Sequence, residues 1–113
     1  MTSSDDQKGG PGQKGGSKAK AAIDDALELK ATARRNRLLG LWAGALMGLE
    51  DQHLQDYAAA IVRSETSPPD DDDVQRKVAG DLLGAGLKVT EDQVRGKMDE
   101  LQAVARGQVQ AEG

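Results

Sequence analysis

The chain has 113 residues, 15 of them basic and 19 acidic, for a net charge of -4. That balance argues against nucleic-acid binding, which wants a basic stripe. Cysteine is absent, which removes disulfides, a thiolate nucleophile and any Cys-based zinc site. The length suits one domain with a thin core. Aromatic residues make up only 2% of the chain, with no Phe. Aliphatic residues and Ala must therefore fill the core, which suits close-packed helices better than a sheet. The apolar-rich run Leu38 to Leu49 is too short to span a membrane and contains three glycines. No signal-like apolar stretch follows Met1, so a cytoplasmic protein without direct membrane insertion is expected.

Residues 1–20 differ from the rest. Gly9, Gly10, Gly12, Gly15 and Gly16 surround Pro11, and no large apolar side chain follows Met1 in this stretch. Each glycine loses much backbone entropy on ordering. The segment reads as a disordered arm, followed by a domain over 21–113. Its Gly-Lys pattern lacks the spacing and the preceding strand of a phosphate-binding loop.

A first helix is expected from about Ser17 or Asp24 to Met47. Leu27, Ala31, Arg34, Leu38, Leu41, Trp42, Ala45 and Leu49 follow one helical face. Gly48 is placed to end the helix in a left-handed cap. A second helix spans about Glu50 to Glu65, with Leu54, Tyr57, Ala58, Ile61 and Val62 on its apolar face. Pro68 and Pro69 lead into the next turn.

The third helix begins near Asp70. Asp70 to Asp73 sit where a helix N-terminus favours negative charge. Val74, Val78, Leu82 and Leu83 form its apolar face, and Gly84 and Gly86 end it. Thr90 and Gln93 form a capping-box pattern that starts the fourth helix. Its stripe is Val94, Met98, Leu101, Val104, Ala105 and Val109. The fold class expected is all-α, a four-helix antiparallel bundle with a disordered Gly-rich N-terminal arm.

Chemistry is sparse, and no catalytic residue, metal ligand set or cofactor is assigned. His53 is the sole histidine and reads as a surface residue, because one His without Cys is a weak ligand set. Counted as a calcium loop from Asp70, the sixth and twelfth positions hold Gln75 and Asp81 rather than Gly and Glu. The run Arg34-Arg35-Asn36-Arg37 carries more interest. Arg34 and Arg37 are expected to flank the buried stripe, with Arg35 further round. Their stems can cover the core edge while their heads pair with acids such as Asp70 to Asp73. Alternatively they form a basic edge for an acidic partner surface or a nucleotide phosphate.

The segment from Leu29 through Arg34-Arg35-Asn36-Arg37-Leu38-Leu39-Gly40-Leu41-Trp42 to Ala43 resembles the zeta subunit, the ATPase-inhibitor family of alphaproteobacterial F-type ATP synthases. The likeness continues through Met47-Gly48-Leu49, Asp56-Tyr57-Ala58, Asp72-Asp73-Val74, Arg76-Lys77-Val78-Ala79, Lys97-Met98-Asp99-Glu100 and Val104-Ala105-Arg106. It covers roughly Asp24 to Gln110. The resemblance implies a four-helix fold and a cytoplasmic location, and the free chain is expected to be monomeric. It also implies docking on the catalytic head (alpha, beta and gamma subunits) of the synthase. Lys20, Leu27, Leu29, Lys30, Arg34, Arg35 and Arg37 are the expected partner-binding residues.

Members of that family block ATP hydrolysis by inserting an N-terminal segment that becomes helical on binding. Their N-termini open with Phe-Asp-Asp-Arg and carry further Phe. Here Ser4 precedes Asp5 and Asp6, and Phe is absent. Five glycines disfavour helix by roughly 5 kcal/mol relative to Ala. Each missing aromatic anchor removes about 2 kcal/mol of burial. Inhibition is expected to be weak or lost. The alternatives are a non-inhibitory helical binding domain and a weak adenine-nucleotide binder.

Overall fold

The computed structural model describes residues 15–63 and 70–112, with side chains from residue 25 onward. Four helices account for nearly all of them: α1 Gly15–Leu46, α2 Asp51–Val62, α3 Asp71–Gly84 and α4 Glu91–Glu112. The chain divides into two units between Lys30 and Ala31. Residues 1–14 of the expected arm lie outside the described residues. Residues 15–20 are the start of α1, so that helix begins ahead of the Ser17 or Asp24 expected. Ala, Lys, Leu and Glu dominate from Ser17 to Lys30. These are strong helix formers, and extending an existing helix costs far less than starting one.

Within the second unit, the helix ends follow from local residues. Gly48 has φ +83° and Gly86 has φ +85°. At α1, Leu49 N–H donates to Gly44 O at 2.9 Å and Gly48 N–H to Ala45 O at 3.1 Å. At α3, Leu87 N–H donates to Leu82 O at 3.0 Å and Gly86 N–H to Leu83 O at 2.9 Å. Both ends are Schellman motifs, which need the left-handed residue that glycine supplies without strain. Asp70 caps α3 by accepting from Asp72 N–H at 2.9 Å. Thr90 and Gln93 close a reciprocal box at α4: Gln93 N–H donates to Thr90 Oγ1 (3.1 Å) and Thr90 N–H to Gln93 Oε1 (2.9 Å). Helix α2 ends at Val62 with Arg63 as its cap, short of the expected Glu65. Pro68 and Pro69 lie outside the described residues.

The core joins all four helices. Leu39 and Ala43 of α1 meet Ile61 of α2, Val74, Val78, Ala79 and Leu82 of α3, and Val94 and Met98 of α4. Trp42 and Tyr57 pack only at its margin, so aliphatic side chains fill the centre. Neighbouring helices run antiparallel. Gly40 faces Ala58 while Gly44 faces Leu54. Asp72 reaches Arg95 while Gln75 reaches the Glu91 carbonyl. Arg34 meets Glu112, and Trp42 lies under the Lys97 ammonium.

Three expected faces need correction. The buried face of α1 carries Ala31, Arg35, Asn36, Leu39, Gly40, Ala43 and Gly44, and Ala31 alone comes from the expected stripe. Leu38, Leu41 and Trp42 are half-buried, and Ala45 is exposed. The reason is close approach between helices. A Cβ on Gly40 would stand 2.7 Å from Ala58 Cα, so small residues, not large apolar ones, mark the contact. Leu83 on α3 is 70% exposed and Val104 on α4 is 44% exposed. Each sits directly beside a buried residue, Leu82 or Ala105, and the step of about 100° between neighbours turns it out of a one-sided core.

Candidate partner-binding site

The basic segment of α1 was the strongest site candidate, and its residues fall into the two units. In the first, Leu27 is half-buried, Leu29 is 62% exposed and Lys30 is exposed. Lys20 belongs to α1, and its side chain lies outside the described ones.

In the second unit the three arginines do not form one cluster. They radiate to three different helices. Arg34 donates to Gln108 Oε1 (3.1 Å) and Glu112 Oε1 (2.8 Å), near the end of α4. The Glu112 hydrogen bond holds the Arg34 guanidinium above its already high range. Arg37 is exposed and donates to Gln55 Oε1 on α2 at 2.6 Å.

Arg35 points inward, which corrects the expectation that it lies further round from the core. It is 3% exposed. Its Nη2 donates to Asp71 Oδ1 at 2.7 Å on α3 and to Asn36 Oδ1 at 2.8 Å, and its Nε donates to the same Asn36 oxygen at 3.1 Å. A buried charge is tolerable only when paired and hydrogen-bonded, and this one is both. The pairing leaves a mark on the acid: the Arg35 hydrogen bond holds the Asp71 carboxyl below its ordinary range, against the opposing pull of partial burial. Asn36 is fully buried, and its Nδ2 has no hydrogen-bond partner among the described residues. The two Arg35 donors on Oδ1 fix the amide orientation, so a flip cannot relieve it.

The expected pairing of arginines with the Asp70–Asp73 run therefore occurs through Arg35 with Asp71. Further along the same run, Arg95 meets Asp72 at 2.9 Å and Arg76 pairs with Asp73. Asn36 and Glu112 were not singled out from the sequence. Asn36 sits inside the basic run, but no local signal distinguishes a buried Asn from a surface one. Glu112 is 78 residues from Arg34.

A second polar staple joins α2 to α3. Tyr57 Oη donates to Asp81 Oδ2 at 2.8 Å. Burial and this hydrogen bond push the phenol well above its ordinary range. His53 is exposed. Among the described residues, no three His, Cys, Asp or Glu side chains converge as a metal site. Among them too, no helix is long and apolar enough to cross a membrane.

Four helices, an aliphatic core and a few polar links between helices (Arg34–Glu112, Arg35–Asp71, Tyr57–Asp81 and Arg95–Asp72) define a small all-α protein of the four-helix class. The chain belongs to the ATPase inhibitor subunit zeta family, whose model matches residues 13–108. An inhibitor subunit is a regulatory, non-catalytic component. A solved structure, titled only as a solution NMR structure of the protein, is 39% identical with a TM-score of 0.65, covering 77% of this chain and 99% of that one. No curated protein matches the chain.

Proposed function

We propose that the chain docks on the catalytic head of an F-type ATP synthase, on the cytoplasmic side, and restrains ATP hydrolysis weakly or not at all. The family match over residues 13–108 carries this reading. In it, residues 1–20 are the arm that meets the alpha, beta and gamma subunits, and residues from 21 onward are the docking domain. The contacts proposed are Lys20, Leu27, Leu29 and Lys30 in the first unit, where Leu29 and Lys30 are exposed, and Arg34 and Arg37 in the second. Arg35 acts indirectly, by tying α1 to α3 through Asp71.

The weakness follows from the arm's composition. Coupled folding and binding needs apolar anchors to offset the cost of ordering. The chain has no Phe to serve as one. Gly15 and Gly16 already lie within α1, which lowers the helix cost of the five glycines. Gly9, Gly10 and Gly12 still disfavour helix by about 3 kcal/mol relative to Ala.

The test is ATP hydrolysis by the purified head, titrated with the full chain, alongside co-purification. The expected result is co-purification with partial inhibition, or none, at saturation. If no head subunit is retained, docking is wrong. Complete inhibition at equal molar ratio sinks the weakened-arm argument instead. A nucleotide site built from Arg34, Arg35 and Arg37 is disfavoured because the three reach three separate helices.

A further inference from the structure

The hairpin of α3 and α4 carries an open groove of about 400 Å³, lined by Arg76, Ala79, Gly80, Leu83, Lys88, Val89, Thr90 and Glu91. That volume lies in the range of binding clefts. Its floor is continuous with the core, because Ala79 is buried and Val89 packs on the core cluster. Leu83 stands out from one wall at 70% exposure, the most exposed large apolar side chain among the described residues. Gly80 leaves the depression: a Cβ there would meet no atom within 4 Å. A glycine inside a helix lowers stability relative to alanine, and no packing contact requires one here.

The charges on the rim are unequally used. Arg76 is tied to Asp73 on its own helix. The Thr90 hydroxyl is spent on the α4 cap, and the Glu91 carbonyl accepts from Gln75. Glu91 itself sits in the first turn of α4, where the helix end favours a carboxylate. Lys88 is exposed and makes no ion pair among the described residues. An apolar depression with a protruding leucine and an uncommitted ammonium beside it suits an amphipathic segment carrying a carboxylate.

We infer that this groove is a second docking site, formed by residues other than those proposed on α1, and that it receives an amphipathic segment of the synthase head. In that contact a bulky apolar side chain lies over Ala79, Gly80, Leu83 and Val89, and a neighbouring carboxylate meets Lys88. The inference rests on the docking reading proposed above.

The test uses the full chain and two variants, Gly80→Leu, which fills the depression, and Lys88→Glu, which reverses the charge. Gly80→Leu has open space and replaces a poor helix former, so its thermal midpoint should match or exceed the parent. The first measurement is amide chemical shifts with anilinonaphthalene sulfonate, an apolar anion of matching chemistry. The expected shifts centre on Gly80, Leu83 and Lys88, vanish in Gly80→Leu and shrink in Lys88→Glu. The second is equilibrium binding to the head, where each variant should lose about tenfold in affinity. Shifts that bypass the groove overturn the inference. So does binding of both variants as tight as the parent's, a result that leaves the docking reading standing. If the parent chain itself does not bind the head, the docking reading fails and this occupant falls with it.

Discussion

Replacing Gly40 by Ala should destabilise the protein, whereas the same change at Gly80 should stabilise it. Both glycines lie inside helices, so both substitutions gain up to about 1 kcal/mol of helix propensity. Their surroundings differ. A Cβ at Gly80 meets nothing within 4 Å. At Gly40 it would stand 2.7 Å from Ala58 Cα, 3.2 Å from Ile61 Cγ1 and 3.3 Å from Ala58 Cβ. Carbon atoms pack best at about 3.5–4.0 Å, so α1 and α2 must separate locally by roughly 1 Å. The obstacle is backbone, which cannot swing aside. Overpacking of that kind costs about 2–3 kcal/mol. Subtracting the propensity gain leaves a net loss of about 1–2 kcal/mol for Gly40→Ala. That lowers the thermal midpoint by about 5–10 °C. Urea unfolding followed by far-UV circular dichroism, with Trp42 fluorescence as a second probe, measures both variants. Equal stabilisation of Gly40→Ala and Gly80→Ala would refute the claim that α1 and α2 touch through their backbones.

Asp71→Asn should cost about 1–3 kcal/mol, because it removes the carboxylate from the buried Arg35 while keeping the side-chain shape. The sign of the pH dependence follows from the depressed folded-state value of Asp71. Its stabilisation is present above the unfolded value of about 4 and is lost as pH falls through the folded one. Thermal midpoints across that acid range should fall more steeply for the parent than for Asp71→Asn, and parallel curves would contradict the linkage. Tyr57→Phe should cost about 1 kcal/mol by removing the hydrogen bond to Asp81. The folded-state value of Tyr57 is raised, so its contribution is full below about pH 10 and declines above it. An alkaline titration of stability should therefore be flatter in Tyr57→Phe. Thr90→Ala should cost about 1 kcal/mol through loss of the α4 cap, with faster amide exchange confined to the first turn of that helix.

What the sequence determined by itself were features encoded by adjacent residues. The ends of α1 and α3 at Gly48 and Gly86, and the starts of α3 and α4 at Asp70 and Thr90, are set by side chains and backbone preferences within one helical turn. The core faces of α3 and α4 were likewise legible, because Val74, Val78 and Leu82, and Val94, Met98, Ala105 and Val109, repeat at helical spacing. The family signature lies in contiguous residues and was readable for the same reason.

Tertiary structure alone decided the face that α1 buries. Close approach to α2 favours Gly40 and Gly44, and a pattern of large apolar residues does not reveal such a contact. It also decided that Arg35, among three arginines close together in sequence, goes inside. That choice depends on Asp71 and Asn36 being present where Arg35 points, and a partner 36 residues away leaves no local trace. The groove beside Gly80 is of the same kind: it exists only where α3 and the turn into α4 are brought together. Local sequence specifies where helices begin and end because those preferences act within a turn. Which side of each helix meets another, and which charge is buried, depends on surfaces that exist only after packing.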